Sequence, residues 1–230
     1  MLESSFIRVI IPAFNEEDSI SKVINDIPDY VDEVIVVNNN SSDQTTEKAT
    51  SAGATVLEEP IPGYGRACLR GISYINQLPT KTDIVIFLDG DYSDYPAQMS
   101  RHLEKIHLHN MDMAIGSRAL GNREPGSMTI PQRFGNWLAT SLIKLFYNAH
   151  FTDLGPFRAI RLSALNQLNM QDKDFGWTVE MQAKAAKQKI RFCEVPVDYR
   201  KRIGVSKISG TVRGVILAGY KILFTIFKYL

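Results

Sequence analysis

The sequence predicts an α/β fold, a mostly parallel sheet flanked by helices. Three observations carry this expectation. Apolar runs of strand length alternate with amphipathic stretches of helical length from residue 6 to residue 118, the pattern of consecutive βαβ units with right-handed crossovers. The strand-like runs at 6–14, 31–40 and 84–91 lead into polar or acidic residues, at the sheet edge where open α/β folds bind ligands. A chain of 230 residues suits one large domain, or one domain with an appendage, around a substantial core.

Taken in order, FIRVIIPAF (Phe6 to Phe14) reads as the first strand. NEEDSISKVINDI starts acidic and puts Ile20, Val23, Ile24 and Ile27 on one helical face. VDEVIVVNNN is a second strand, SSDQTTEKATSAG a second helix closed by Gly53, ATVLEE a short third strand and GYGRACLRGISYINQL a third helix. IVIFLDGD is a buried strand that stops at Asp89 and Asp91, and MAIGSR (Met113 to Arg118) a further strand. The texture then changes. ALGNREPGSMTIPQRFGN, rich in Gly, Pro and Arg, reads as a long loop. WLATSLIKLFYNA is an amphipathic helix, a further helix runs from Thr178 to Lys187, and KIRFCEVPVDYRKR is strand-like. These elements place one domain at 1–210 and a separate C-terminal helix at 211–230.

The net charge of +1 gives no reason to expect a nucleic-acid partner. Two cysteines, Cys68 and Cys193, lack the spacing of a zinc site and fit a reduced, cytoplasmic protein. No signal peptide and no run of about 20 apolar residues is evident, so no conventional membrane span is expected. The end of the chain is nonetheless basic and apolar together. From Arg191 onward the only acids are Glu194 and Asp198. In TVRGVILAGYKILFTIFKYL, Arg213, Lys221 and Lys228 fall within about 80° on a helical wheel. Such a basic amphipathic helix suits a peripheral position on a membrane surface, with its charges reaching the headgroups. The alternative is a helix packed on the domain or in a homodimer.

Asp89 and Asp91 are the chemical centre of the sequence. A buried strand ending in D-x-D sets two hard carboxylates at the sheet rim, and Mg²⁺ typically uses one or two carboxylates plus substrate phosphates. Alone, such a pair equally describes two solvated aspartates opening a turn. Gly63-Tyr64-Gly65-Arg66 is not a dinucleotide fingerprint, because Cys68 stands where the last glycine is needed and Pro62, not a strand, precedes it.

VIIPAFNEE, VVNNNSSDQT, GYGRACLRG, FLDGDYSDYP, GSR and EVPVDYRKRIGVSK occur in the order seen in inverting glycosyltransferases of the GT-A fold, which is Rossmann-like. The set covers nearly the whole chain, and RIGVSKISG resembles the branch that acts on polyprenyl phosphates, which includes dolichol-phosphate mannose synthases. The resemblance implies a nucleotide sugar as donor, UDP-glucose or GDP-mannose. It implies that Pro12, Ala13, Asn15, Glu16, Asn38, Gly63, Arg66 and Asp89 bind this donor, and that Asp89 and Asp91 hold Mg²⁺ or Mn²⁺. Asn38 replaces an aspartate common in the family, and Ser93 a glutamine; Asp94 is read as structural. Asp91, Asp153 and Glu180 are the implied catalytic residues, with Asp153 in TDLGPFRAIR lining the sugar pocket, Trp177 stacking on a sugar and Glu180 facing the donor sugar. Without the resemblance, Glu180 is equally an acidic residue favoured by the helix dipole. Arg118, Arg133, Arg202, Ser206 and Lys207 are the implied acceptor-phosphate binders, since arginine offers a fork and lysine a point charge.

The implied reaction is a single displacement that inverts the anomeric carbon. A phosphate acceptor is largely ionised at neutral pH and needs no strong base. A hydroxylated lipid or a saccharide, the alternative acceptor, needs one within hydrogen-bond reach, and Asp153 or Glu180 would serve. A nucleotidylyltransferase is disfavoured by the first strand, which lacks the G-x-G-T-R-x-x-P type of loop, and a catalytically silent membrane scaffold by the intact D-x-D.

Overall fold

A computed structural model describes residues 5–204 and 212–230. Ser206 and Lys207 lie outside the described residues. Among the described residues, seven strands form one sheet in the order β3-β2-β1-β4-β6-β5-β7. They span β1 (Ile7–Ala13), β2 (Glu33–Asn38), β3 (Thr55–Glu58), β4 (Ile84–Phe87), β5 (Met113–Ser117), β6 (Arg158–Arg161) and β7 (Phe192–Pro196). All run parallel except β6, which is antiparallel to both β4 and β5. The chain builds outward from β1 to β2 and β3, then returns to the other side of β1 as β4. That reversal is the switch point where a crevice opens beyond the strand ends.

Among the described residues, eight α-helices accompany the sheet: α1 (Ile20–Asn25), α2 (Thr45–Ser51), α3 (Tyr64–Gln77), α4 (Met99–Leu108), α5 (Ile130–Tyr147), α6 (Leu162–Leu168), α7 (Trp177–Lys187) and α8 (Val212–Lys228). Alternation along the strands feeds two apolar layers. Ile10, Ile35, Val37, Val85 and Phe87 pack under α3, α5 and α7, whereas Val9, Ile11, Val36, Ile84 and Ile86 pack under α1, α2 and α4.

Several elements depart from the sequence expectation. The helix expected at 15–27 is confined to α1, because Glu16 and Ser19 form a turn in which Ser19 N and Ile20 N donate to the Glu16 carbonyl. The expected loop at 119–136 is helical from Ile130 onward. Thr129 and Gln132 make a reciprocal capping box and Pro131 occupies the first turn, where its missing N–H costs nothing. Helices α4 and α6 and strand β6 were not expected from the sequence. β6 is a short antiparallel insert whose partners lie far away in the chain. Among the described residues, no helix is long and apolar enough to cross a membrane.

Candidate functional site

The carboxyl ends of β1, β2 and β4 frame two adjoining cavities of about 460 and 490 Å³. The smaller lies against β1 and is lined by Pro12, Ala13, Glu16, Asn39, Gly63 and Asp174, among others. The larger opens beyond β4 and runs out between α5 and α8 past Phe134, Leu138, Gly219, Ile222 and Leu223. Tyr64, Asp89, Asp91, Phe175 and Arg202 line both. The D-x-D therefore sits at the junction of the two cavities.

Desolvation, reinforced by the neighbouring Asp91 charge, pushes the Asp89 carboxyl up to about 7. Tyr64 donates its hydroxyl to Asp89 Oδ1 at 3.0 Å. Asp91 is turned by Ser93, whose N–H and hydroxyl donate to Oδ1 at 2.9 and 2.5 Å, leaving Oδ2 towards Arg202 at 3.2 Å. Asp94 is buried with neither carboxylate oxygen hydrogen-bonded, and desolvation followed by the Asp89 and Asp91 charges holds its carboxyl well above the usual range. Together these acids form a locally acidic pocket whose nearby positive charges are Arg202 and Arg118. Among the described residues no cluster of three acidic, His or Cys ligands converges, so the donor set is two carboxylates with room for exogenous oxygens. This suits a hard cation shared with phosphate.

Arg118 and Asp153 form a buried fork. Arg118 Nε and Nη2 donate to the carboxylate at 2.7 Å each, and its backbone N–H at 2.8 Å. Burial works against the Arg118 charge, but Asp153 overrides it and holds the guanidinium well above its ordinary value. Arg118 reaches the larger cavity, and Asp153 does not. The Asp153 turn is held from three sides. Glu194 of β7 accepts from Thr152 N and Asp153 N, Asn136 of α5 accepts from Leu154 N, and Gln182 of α7 donates to the Asp153 carbonyl.

Glu180 is placed otherwise than the sequence implied. It is fully buried and lines neither cavity. It accepts from the backbone N–H groups of Gln171 and Asp172, from Lys184 at 2.7 Å and from the Tyr229 hydroxyl at 2.7 Å. Every part of the carboxylate is engaged in anchoring the 171–172 turn and the chain terminus. Asn38 is also turned away, donating to Glu58 at 2.9 Å and accepting from Ser41 N. Its neighbour Asn39 lines the smaller cavity and fastens the 59–63 loop through Glu59, Ile61 and Gly63. Asn15 braces the 41–42 turn, donating its backbone N–H to the Ser41 hydroxyl and accepting from Ser42 N, and Arg66 lines neither cavity. Arg133 is exposed outside the larger cavity, although Gln132 and Phe134 line it. Trp177 lines it too, its ring edge-on to Phe87 at 5.8 Å.

The site also contains residues that the sequence reading missed: Tyr64, Asn39, Asn136, Asp174, Phe175 and Tyr199. For Tyr64 a signal existed, an aromatic hydroxyl between two glycines at the start of α3. For Phe175 there was none.

The tail helix is docked on the domain. Lys221 pairs with Asp172 at 3.0 Å, Tyr147 donates to the Ile226 carbonyl at 2.5 Å, and Lys187 donates to the carbonyls of Tyr229 and Leu230. Lys221 therefore faces the domain, against the expectation that the three tail bases reach headgroups together. The opposite side of α8 exposes Tyr220, Phe224 and Phe227 beside Phe134, Trp137 and Leu145 of α5, and neither helix contains an acidic residue.

Comparison with known proteins accords with this geometry. The family model described as glycosyl transferase family 2 matches residues 8–168. An uncharacterized glycosyltransferase of Mycobacterium tuberculosis is 32% identical over 92% of this chain and 94% of its own length. The undecaprenyl-phosphate mannosyltransferase of Micrococcus luteus is 28% identical over 90% of this chain and 89% of its own. Glucosyl-3-phosphoglycerate synthase from Mycobacterium tuberculosis, crystallised with Mn²⁺, UDP and glucosyl-3-phosphoglycerate, superposes with a TM-score of 0.77 at 19% identity, covering 98% of this chain and 80% of that one. At that identity the likeness speaks for the GT-A fold.

Proposed function

The chain belongs to glycosyl transferase family 2, and from that premise we propose that it transfers a hexose from a nucleotide sugar to a polyprenyl phosphate, with inversion and with Mg²⁺ or Mn²⁺ as cofactor. The observation that carries this reading is the pair of cavities meeting at Asp89 and Asp91. The smaller one, against the ends of β1 and β2, takes the donor nucleotide, and the larger one, leading out between α5 and α8, takes the acceptor. The relative that acts on undecaprenyl phosphate and the fold neighbour crystallised with Mn²⁺ and UDP support it.

Asp89 and Asp91 would hold the metal, which when bound neutralises the departing diphosphate. Tyr64 fixes the Asp89 carboxylate, and Ser93 turns Asp91 so that Oδ2 faces the cavity junction. Pro12, Ala13, Glu16, Asn39 and Gly63 form the donor wall. Arg118 presents Nη1, its nitrogen without a partner among the described residues, to the acceptor phosphate, with Asp153 behind it as a positioning residue. An acceptor phosphate is already an oxyanion near neutral pH, which agrees with a site whose Asp153 and Glu180 are both engaged elsewhere. The apolar faces of α5 and α8, free of acids and flanked by Arg133, Lys144 and Lys228, would rest on an anionic bilayer that delivers the lipid.

A radiolabelled transfer assay tests the proposal, pairing UDP-glucose and GDP-mannose separately with polyprenyl phosphate and with the matching free alcohol, each with Mn²⁺ or Mg²⁺. Product from the phosphate alone, abolished by Asp91→Ala, is the expected result and names the donor. Product from the alcohol alone would replace this reading with a hydroxyl-directed glycosyltransferase.

A further inference from the structure

Arg202 Nη2 lies 3.2 Å from Asp91 Oδ2 and 3.2 Å from Glu16 Oε1. One nitrogen thus bridges two carboxylates, one from the D-x-D and one from the turn after β1. Asp91 Oδ1 is already taken by Ser93, so the guanidinium covers the carboxylate oxygen that a metal would need. The contact is a loose one. Both distances sit at the long end of the N–H···O range, and Arg202 Nε is buried without a hydrogen-bond partner. A well-seated arginine instead forms a two-nitrogen fork on one carboxylate, as Arg118 does on Asp153. Arg202 is also the only basic residue that lines both cavities among the described residues. Its backbone is pinned at the junction, because Ile203 N donates to the Asp91 carbonyl at 2.9 Å.

We propose that Arg202 is the resident counter-cation of the D-x-D site, that binding of metal and donor displaces it, and that the displaced guanidinium turns into the larger cavity to complete an acceptor-phosphate site with Arg118. A divalent ion held by Asp91 and Asp89 would bring two positive charges against the oxygen that Arg202 now faces. The guanidinium cannot keep its place against that charge. Because Ile203 holds the backbone, the side chain must swing, and Arg118 already lines the larger cavity. Donor and acceptor binding are thereby coupled, and the coupling is reciprocal. The donor-free enzyme keeps its acceptor site incomplete.

This inference rests on the proposed metal-dependent transfer, and binding measurements separate the two. Mn²⁺ affinity is read by the electron paramagnetic resonance of free Mn²⁺, with and without UDP, for the unaltered protein, Arg202→Met, Arg202→Lys and Asp91→Asn. Farnesyl phosphate, a soluble acceptor probe, is titrated calorimetrically into the same proteins. Arg202→Met is expected to bind Mn²⁺ without UDP about tenfold more tightly, and Arg202→Lys to stay near the unaltered protein. Farnesyl phosphate is expected to bind the unaltered protein several-fold more tightly once Mn²⁺ and UDP are present, within the range typical of coupled sites, and Arg202→Met to lose that gain. Thermal melts identify any variant that fails to fold, and Arg202→Lys then carries the comparison through a weaker gain. Unchanged or weaker Mn²⁺ binding by Arg202→Met overturns the exchange while leaving the metal site intact. So does an equal farnesyl phosphate affinity with and without Mn²⁺ and UDP. If neither the unaltered protein nor Arg202→Met binds Mn²⁺ even with UDP, the metal-dependent reading fails as well.

Discussion

Asp153→Asn isolates the positioning role of the buried fork from a catalytic one. Asp153 is 1% exposed and the Arg118 side chain 12%. The carboxylate accepts three N–H groups of Arg118, at 2.7, 2.7 and 2.8 Å. The amide keeps one acceptor oxygen, removes the negative charge and turns an NH₂ group towards a guanidinium. Breaking a buried pair from one side costs about 3–5 kcal/mol, because the other charge remains buried. With an unfolding entropy of about 2.1 cal/mol/K per residue, a chain of this size has about 0.5 kcal/mol/K at its midpoint, so a loss near 3 kcal/mol lowers Tm by about 6 °C. Urea unfolding and thermal melts of Asp153→Asn, Arg118→Met and the double variant close a mutant cycle. The coupling energy is expected to exceed about 2 kcal/mol, with the double variant more stable than Asp153→Asn alone. Transfer activity should fall chiefly through a higher KM for the acceptor. A destabilisation below about 1 kcal/mol with kcat abolished and acceptor KM unchanged would refute the positioning argument and make Asp153 a base.

Three further outcomes follow from the same geometry. Asp89 has a native value near 7 against an ordinary 3.8, so between these limits the native state holds a proton that the unfolded chain has lost. Stability of the metal-free protein, measured by melts, should therefore fall as pH rises from about 4 to about 7, and Asp89→Asn should flatten that slope. A Cβ at Gly65 would collide with the Asp172 carbonyl and approach Asp174 N to 2.8 Å. Gly65→Ala is expected to cost about 1–3 kcal/mol and to weaken UDP binding in calorimetry, because Asp174 and Phe175 line the donor cavity. Tyr220→Glu with Phe224→Glu, both exposed on α8, should abolish sedimentation with phosphatidylglycerol vesicles while changing urea stability by no more than about 1 kcal/mol. Undiminished sedimentation would remove α8 from the membrane face.

The parallel core was legible because its signals are local. A buried strand needs a short apolar run and a helix a 3.6-residue stripe, and β1 to β4 with α2 and α3 carry both in uninterrupted order. Weak or long-range signals were not legible in the same way. The capping box at Thr129 and Gln132 was overlooked inside a Gly- and Pro-rich stretch, so α5 starts seven residues before the expected Trp137. β6 pairs antiparallel with β4 and β5, an arrangement that no local periodicity encodes.

By itself the sequence determined the α/β architecture and the two carboxylates at the end of β4, since each follows from which residues are adjacent in the chain; the switch point beside β1 came only with the strand order. Tertiary structure alone decided what each charged group faces. Glu180 and Asp153 are both acids next to candidate chemistry in sequence, yet one is consumed by Lys184 and Tyr229 and the other by Arg118. Asn39, not Asn38, reaches the cavity because successive side chains of an extended segment point opposite ways. Arg202 meets Glu16 across 186 positions of chain. The physical reason is that a side chain's identity fixes its charge and reach, while its partner, its burial and hence its reactivity are set by packing between elements remote in sequence.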